Sequence, residues 1–143
     1  MDKLDPQVRD VYAEFGLAMW VAQSLERQLV LLIIAAYEPP SGKLTADAYD
    51  DLLAQLSQQT LGALIRRLRD SFDAPTDFDQ RLQETLRLRN WLTHHYFVDR
   101  TAEFQSPEGR SEMIRELDGI SDRLNELDEY FDHLLVNWLV DRA

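Results

Sequence analysis

Two stretches of this chain repeat apolar residues every three or four positions for far longer than a strand could, and they bracket everything else. The first runs Val8, Val11/Tyr12, Phe15, Ala18/Met19, Ala22, Leu25, Leu29, Leu32/Ile33 and Ala36. The second runs Ile114, Leu117, Ile120, Leu124, Leu127, Phe131, Leu134 and Trp138, a heptad-like seam from Leu117 onward. Side chains spaced this way share one face of an α-helix, whereas a half-buried strand alternates with period two. No period-two segment occurs, so the chain reads as all-α.

The remaining boundaries follow from turn and cap chemistry. Asp5-Pro6 is an N-cap followed by proline at the first helical position. The first helix is predicted to run to about Tyr37, stop before Pro39-Pro40 and measure roughly 45–50 Å. Its second half is apolar almost all round, which marks it as the central, buried helix. After a loop over 38–45, Thr45 can cap a helix over about 46–58. A third, short helix places Leu61, Leu64, Ile65, Leu68 and Phe72 on one side and Arg66, Arg67 and Arg69 on the others. Thr76 with Asp79 three residues on is a variant capping box, so a fourth helix should begin near Asp77 and weaken around Phe97–Arg100. Residues 101–109 are polar, and Ser106-Pro107 restarts helix. The final seam is expected to pack on the first helix in an antiparallel bundle; a dimer seam is the alternative. The predicted fold is an up-and-down bundle of four to five helices, two of them long, as a single domain over 1–143.

With 143 residues the chain can bury a real core, and the absence of cysteine excludes disulfides and thiolate-held metals. The N-terminus carries no basic region followed by an apolar run, and the longest apolar run, Leu29–Tyr37, is nine residues. A spanning helix needs roughly 20. The expectation is a cytoplasmic protein without a membrane role. The net charge of −11 argues against nonspecific nucleic-acid binding. The charge is unevenly spread: residues 61–100 carry +1 and the remainder −12.

That more basic window holds the chemically richest segment, Arg87-Leu88-Arg89-Asn90-Trp91-Leu92-Thr93-His94-His95-Tyr96-Phe97. Histidine titrates near neutral pH and can act as base or acid, while arginine keeps its charge and grips phosphate through a planar fork. RNA can be cut without metal when a base deprotonates the 2′-hydroxyl and a cation stabilises charge on the phosphate. His94 and Arg89 are the residue types for those roles. In a regular helix they lie about 140° apart, so they cannot converge on one phosphate from a single straight helix. Either the helix ends or distorts between them, or a two-fold partner completes the site. Arg87, Asn90 and His94 share one face; Arg89 and Tyr96 share another.

Arg89-Asn90-Trp91-Leu92-Thr93-His94, extended by His95-Tyr96, reads Arg-x4-His-x-Tyr. Here the chain resembles the HEPN superfamily, small all-α proteins marked by an Arg-x4-6-His motif. The tyrosine extension looks like the toxin branch paired with minimal nucleotidyltransferase antitoxins. The resemblance implies a metal-independent endoribonuclease without cofactor, working as a homodimer on RNA in a toxin or defence role. It also implies silencing by nucleotidylation of the tyrosine, here Tyr96. Arg89, Asn90 and His94 are then the catalytic candidates, with Arg87 and His95 as auxiliary substrate contacts.

Each residue has a plainer reading. His94 can be a packing histidine, with Arg89 salt-bridged to an acid at the edge of the core. Asn90 either orients His94 or is a surface amide, and Tyr96 either packs or accepts a modification. Glu26 and Arg27, which interrupt the apolar helix, are either a partly exposed pair or place Glu26 inward against an arginine or histidine of the motif helix. Asp99 is the one carboxylate at a helical offset from His95, too little for a metal site. The chain could equally be a non-catalytic HEPN-like binding module, since a fold does not dictate an activity.

Overall fold

A computed structural model describes residues 4–36, 45–71 and 75–141, and every described element is helical. In chain order these are α1 (Pro6–Ala36), α2 (Ala46–Ser57), α3 (Leu61–Ser71), α4 (Phe78–His94), α5 (Tyr96–Asp99), α6 (Thr101–Phe104) and α7 (Pro107–Asp141). The expected helix end at Tyr37, the loop at 38–44, Phe72, and the side chains of Leu61 and Trp138 lie outside the described residues. Seven helical segments occur among the described residues rather than four or five. The polar stretch after the motif is itself wound into two one-turn helices, α5 and α6.

Side-chain caps start α2, α3 and α7. The Thr45 hydroxyl accepts from the Ala48 amide at 3.1 Å, Thr60 from Ala63 at 3.2 Å and Ser106 from Gly109 at 3.0 Å. The fourth helix departs from expectation. Thr76 is not its cap: Asp77 occupies that position without a capping side-chain bond. Asp77's carboxylate is taken by Arg81 at 3.0 Å and the Tyr130 hydroxyl at 2.9 Å, and Asp79's by Arg69 at 2.8 Å. The acid of the expected capping box, Asp79, is thus turned to Arg69 of α3.

The direction of the long helices corrects the antiparallel expectation. Gln7 Nε2 donates to Ser111 Oγ at 3.0 Å, and Gln28 Nε2 donates to Asp132 Oδ1 at 3.1 Å. Both pairs are separated by 104 positions. A constant separation means that α1 and α7 run parallel. The return traverse is α4, antiparallel to both. Along α7 its partners descend from Tyr130 (to Asp77) through Arg123 (to Glu84) to Met113 (to Tyr96). Along α1 they descend from Glu26 (to Arg89) to Met19 (to Thr93). A stripe's period fixes which face is buried and leaves the direction open. Direction depends on the number of full-length returns, and α2 and α3, of 12 and 11 residues, are too short to supply one.

The core sits where these helices meet. Val11, Ala18, Ala22, Leu25 and Leu29 of α1 face Leu117, Leu124, Leu127 and Phe131 of α7, all essentially inaccessible. Phe78, Leu82 and Leu92 close it from α4, and Leu56, Leu64, Ile65 and Leu68 from the α2–α3 pair. Ile114, Ile120 and Leu134 of the predicted seam are only partly buried, while Met113 and Ser121 are fully buried. α4 draws the buried face of α7 sideways. By length and composition α1 is apolar enough to cross a membrane, and half of its apolar window is buried inside this fold.

One close approach depends on a missing side chain. A Cβ on buried Gly109 would lie 2.0 Å from the backbone oxygen of Glu103. Only glycine lets α6 fold back against the first turn of α7.

Candidate functional site

The motif lies at the C-terminal end of α4 and in the joint that follows. α4 is continuous through His94, so no distortion brings Arg89 and His94 onto one face. His95, with φ −130° and ψ −18°, terminates it while its amide still donates to Trp91 O. The chain then turns Tyr96 into the core, and α5 begins.

The aromatic residues explain why the helix ends there. Tyr96 is 1% exposed and stacks on Phe15 with ring centroids 5.8 Å apart. Trp91 meets it edge-on at 5.1 Å, and Phe97 lies 4.8 Å from Phe15. Contacts of this kind add about 0.5–1.5 kcal/mol each beyond burial. The Tyr96 hydroxyl sits 3.5 Å from the Met113 carbonyl, and burial raises its pKa well above the ordinary tyrosine value. Tyr96 is thus a core residue, its side chain shielded from solvent.

A second layer holds the joint from outside. Arg100 forms a two-point ion pair with Glu116, at 2.8 and 2.7 Å, with its guanidinium 5.1 Å from the Trp91 ring centre. The pair keeps Arg100 charged far beyond its ordinary range. The Trp91 indole donates to Asp99 Oδ2 at 2.7 Å, so the carboxylate nearest His95 in sequence is turned to an indole.

Arg89 points from α4 toward α1, where its Nε donates to Glu26 Oε1 at 2.6 Å. Both side chains keep a little over a quarter of their exposure. This replaces the exposed Glu26–Arg27 pair with the inward reading of Glu26. Glu26 fixes one edge of the guanidinium and leaves its terminal nitrogens without a hydrogen-bond partner among the described residues. Thr93, one turn later, donates to the Arg89 carbonyl at 2.8 Å and lies against Met19 Sδ.

Arg87, Asn90 and His94 occupy the opposite, solvent-facing side of α4 and are all exposed. No hydrogen bond joins Asn90 to His94 among the described residues. His95 is also exposed, its ring centre 6.3 Å from that of His94. A packing role for His94 therefore does not fit its placement. Within one chain the structure brings Arg89 to Glu26 and His94 to His95, and does not bring the arginine and the histidine of the motif together on one face.

A second feature, which no sequence motif marks, lies between α1 and α7. Trp20 on α1 is 65% exposed and lines a cavity against α7. The one signal available was its position opposite the apolar stripe of α1, where a tryptophan has no core to fill. Comparison of the chain with family models, with curated proteins and with solved structures found no match.

Proposed function

We propose that the chain is a HEPN-like, metal-independent endoribonuclease, acting as a homodimer in which Arg89 and His94 of paired subunits complete one cleft. In this reading residues 1–143 form one domain. Its bundle is α1, α2, α3, α4 and α7, and α5 and α6 form the joint that ends the motif helix. The observation that carries the proposal is the split geometry of α4. It presents an exposed imidazole on one face and, on another, a guanidinium oriented by Glu26 with its terminal nitrogens open. His94 takes the proton of a 2′-hydroxyl, that oxygen attacks the adjacent phosphorus to give a cyclic phosphate, and the 5′-oxygen leaves with the bonding pair and takes a proton from water to end as a hydroxyl. Arg89 stabilises the charge gathered on the phosphate oxygens. Asn90, Arg87 and His95 on the exposed side contact the strand. A nucleotidyltransferase antitoxin as partner, a toxin or defence role and a cytoplasmic setting belong to the same proposal.

The Glu26–Arg89 pair also favours a second reading, a non-catalytic HEPN-like module in which Arg89 ties α4 to α1 and the exposed row binds a partner. Wild type, Arg89→Ala and His94→Ala, expressed side by side and compared for growth and RNA integrity, separate the two. Loss of toxicity and of cleavage in both variants, with the dimer intact in solution, supports catalysis. Intact RNA and normal growth with the wild type supports the module.

A further inference from the structure

α1 and α7 leave between them an open cavity of about 370 Å³, lined by Trp20, Ser24, Arg27, Gln28 and Leu31 of the first helix and Asp128 of the last. Its volume lies within the range of small-ligand sites. Three observations set it apart from an ordinary groove. Trp20 leaves its indole largely uncovered beside it. Asp128 Oδ1 and Gln28 Oε1 are buried oxygens without a hydrogen-bond partner, although buried acceptors are ordinarily satisfied. Arg27 is exposed, with no ion-pair partner among the described residues.

We propose that this cavity binds an unpaired nucleobase of the RNA, a subsite that rests on the ribonuclease reading. Trp20 supplies the stacking platform, which serves any base because every base has a π-face. Asp128 Oδ1 and Gln28 Oε1 are shielded as the cavity stands; a side-chain rotation that turns them to the base edge would favour bases with an exocyclic amino group over uracil. Arg27 meets the adjoining phosphate. A lone cation, the other species a carboxylate and an indole attract, would meet Arg27 as a like charge. A nucleotide uses the donors and acceptors of both signs.

The cavity also adjoins a depression on the Glu26 side of α1. Arg27 and Gln23 form a wall shared with that depression, which is lined by Glu26, the residue that holds Arg89. A strand whose base rests on Trp20 would pass its phosphates along Arg27 toward Arg89. The subsite restricts an acidic protein to short single-stranded segments, because the charge surrounding this strip repels a longer polyanion.

The test is titration of the full chain with AMP, CMP, GMP and UMP, read by quenching of tryptophan fluorescence and by equilibrium dialysis. The three amino-bearing nucleotides should quench and UMP should bind more weakly. Trp20→Ala, at so exposed a position, should keep the circular dichroism of the wild type. It should lose the quenching and weaken dialysis binding about ten-fold or more. Asp128→Asn, which turns one acceptor into a donor, should weaken binding and narrow the preference against UMP. His94→Ala should bind nucleotides as the wild type does, so loss of cleavage in that variant leaves the subsite standing. The proposal is overturned if folded wild type binds no nucleotide, if Trp20→Ala binds as well as wild type, or if arginine methyl ester quenches where nucleotides do not.

Discussion

Substituting alanine for glycine is predicted to act in opposite directions at different positions of this chain, and the sign can be worked out from the surroundings of each. At Gly109 the new methyl group would sit 2.0 Å from Glu103 O and 2.6 Å from Glu103 C and Cα. Ordinary contact begins near 3.4 Å, so α6 and the start of α7 must separate by more than an ångström. The obstructing atoms are backbone and cannot rotate away. That movement pulls on Phe104, which packs on Tyr12 and Phe97, and on the bond from Arg110 to the Phe104 carbonyl at 3.0 Å. Overpacking of this kind costs about 1–3 kcal/mol, and the rigid obstruction puts Gly109→Ala near the upper end. For a domain of this length about 3 kcal/mol lowers Tm by roughly 10 °C. At Gly16 and Gly119, inside α1 and α7, nothing lies within 4 Å of the added carbon. There alanine restricts the unfolded chain and favours the helix, a gain of about 0.4–1 kcal/mol each. Thermal unfolding followed by far-ultraviolet circular dichroism gives all three values in one series. Gly109→Ala melting at or above the wild type would refute the packing of α6 on α7, and a lowered Tm for Gly16→Ala would refute the open face of α1.

Three further outcomes follow from the site and its supports. Glu26→Gln should change stability by less than about 1 kcal/mol, because the ion pair is partly solvated. On the proposed ribonuclease reading it should reduce RNA cleavage at least ten-fold by releasing Arg89, and unchanged cleavage in a protein that cleaves RNA would remove Glu26 from the site. Tyr96→Phe should be nearly neutral, since its hydrogen bond is long at 3.5 Å, whereas Tyr96→Ala should cost about 3–5 kcal/mol; urea titration of both variants checks the contrast. The Arg123 guanidinium holds the Glu84 carboxyl below its ordinary value of 4.5. The stability this pair contributes is present above that value and is lost as pH falls through the lower, folded-state one. Glu84→Gln should therefore narrow its stability difference from wild type as the pH of denaturant titrations drops below about 4.5, and a gap that widened instead would contradict the pairing.

The seam from Leu117 to Phe131, the stripe of α1 and the caps at Thr45 and Ser106 were legible because each is a local pattern with a local cause. Glu26 as a partner for the motif helix was legible as one of two readings, since a carboxylate in an apolar stripe needs a cation. The parallel pairing of α1 and α7 was not, because Gln7–Ser111 and Gln28–Asp132 are contacts between side chains with no sequence signature. Thr76 misled because Asp77 and Asp79 find partners on other helices. The joint at His95 came earlier than expected: the pull of Tyr96 into an aromatic cluster outweighed the helical propensity that runs on to Asp99. The cavity at Trp20 was invisible for the plainest reason, that Asp128 reaches it from the far end of the chain.

The parallel pairing has a consequence for how the chain reaches this structure. Seventy residues separate Ala36 from Pro107, yet the two long helices are each other's principal partners. Closing so wide a loop precedes any reward from the contacts it brings, which slows folding relative to a hairpin of neighbouring helices. During synthesis α1 leaves the ribosome with its oily face bare and must wait for more than a hundred further residues before α7 covers it. A nascent chain in that state invites chaperones, and a message that stalls before α7 would release a fragment prone to clump.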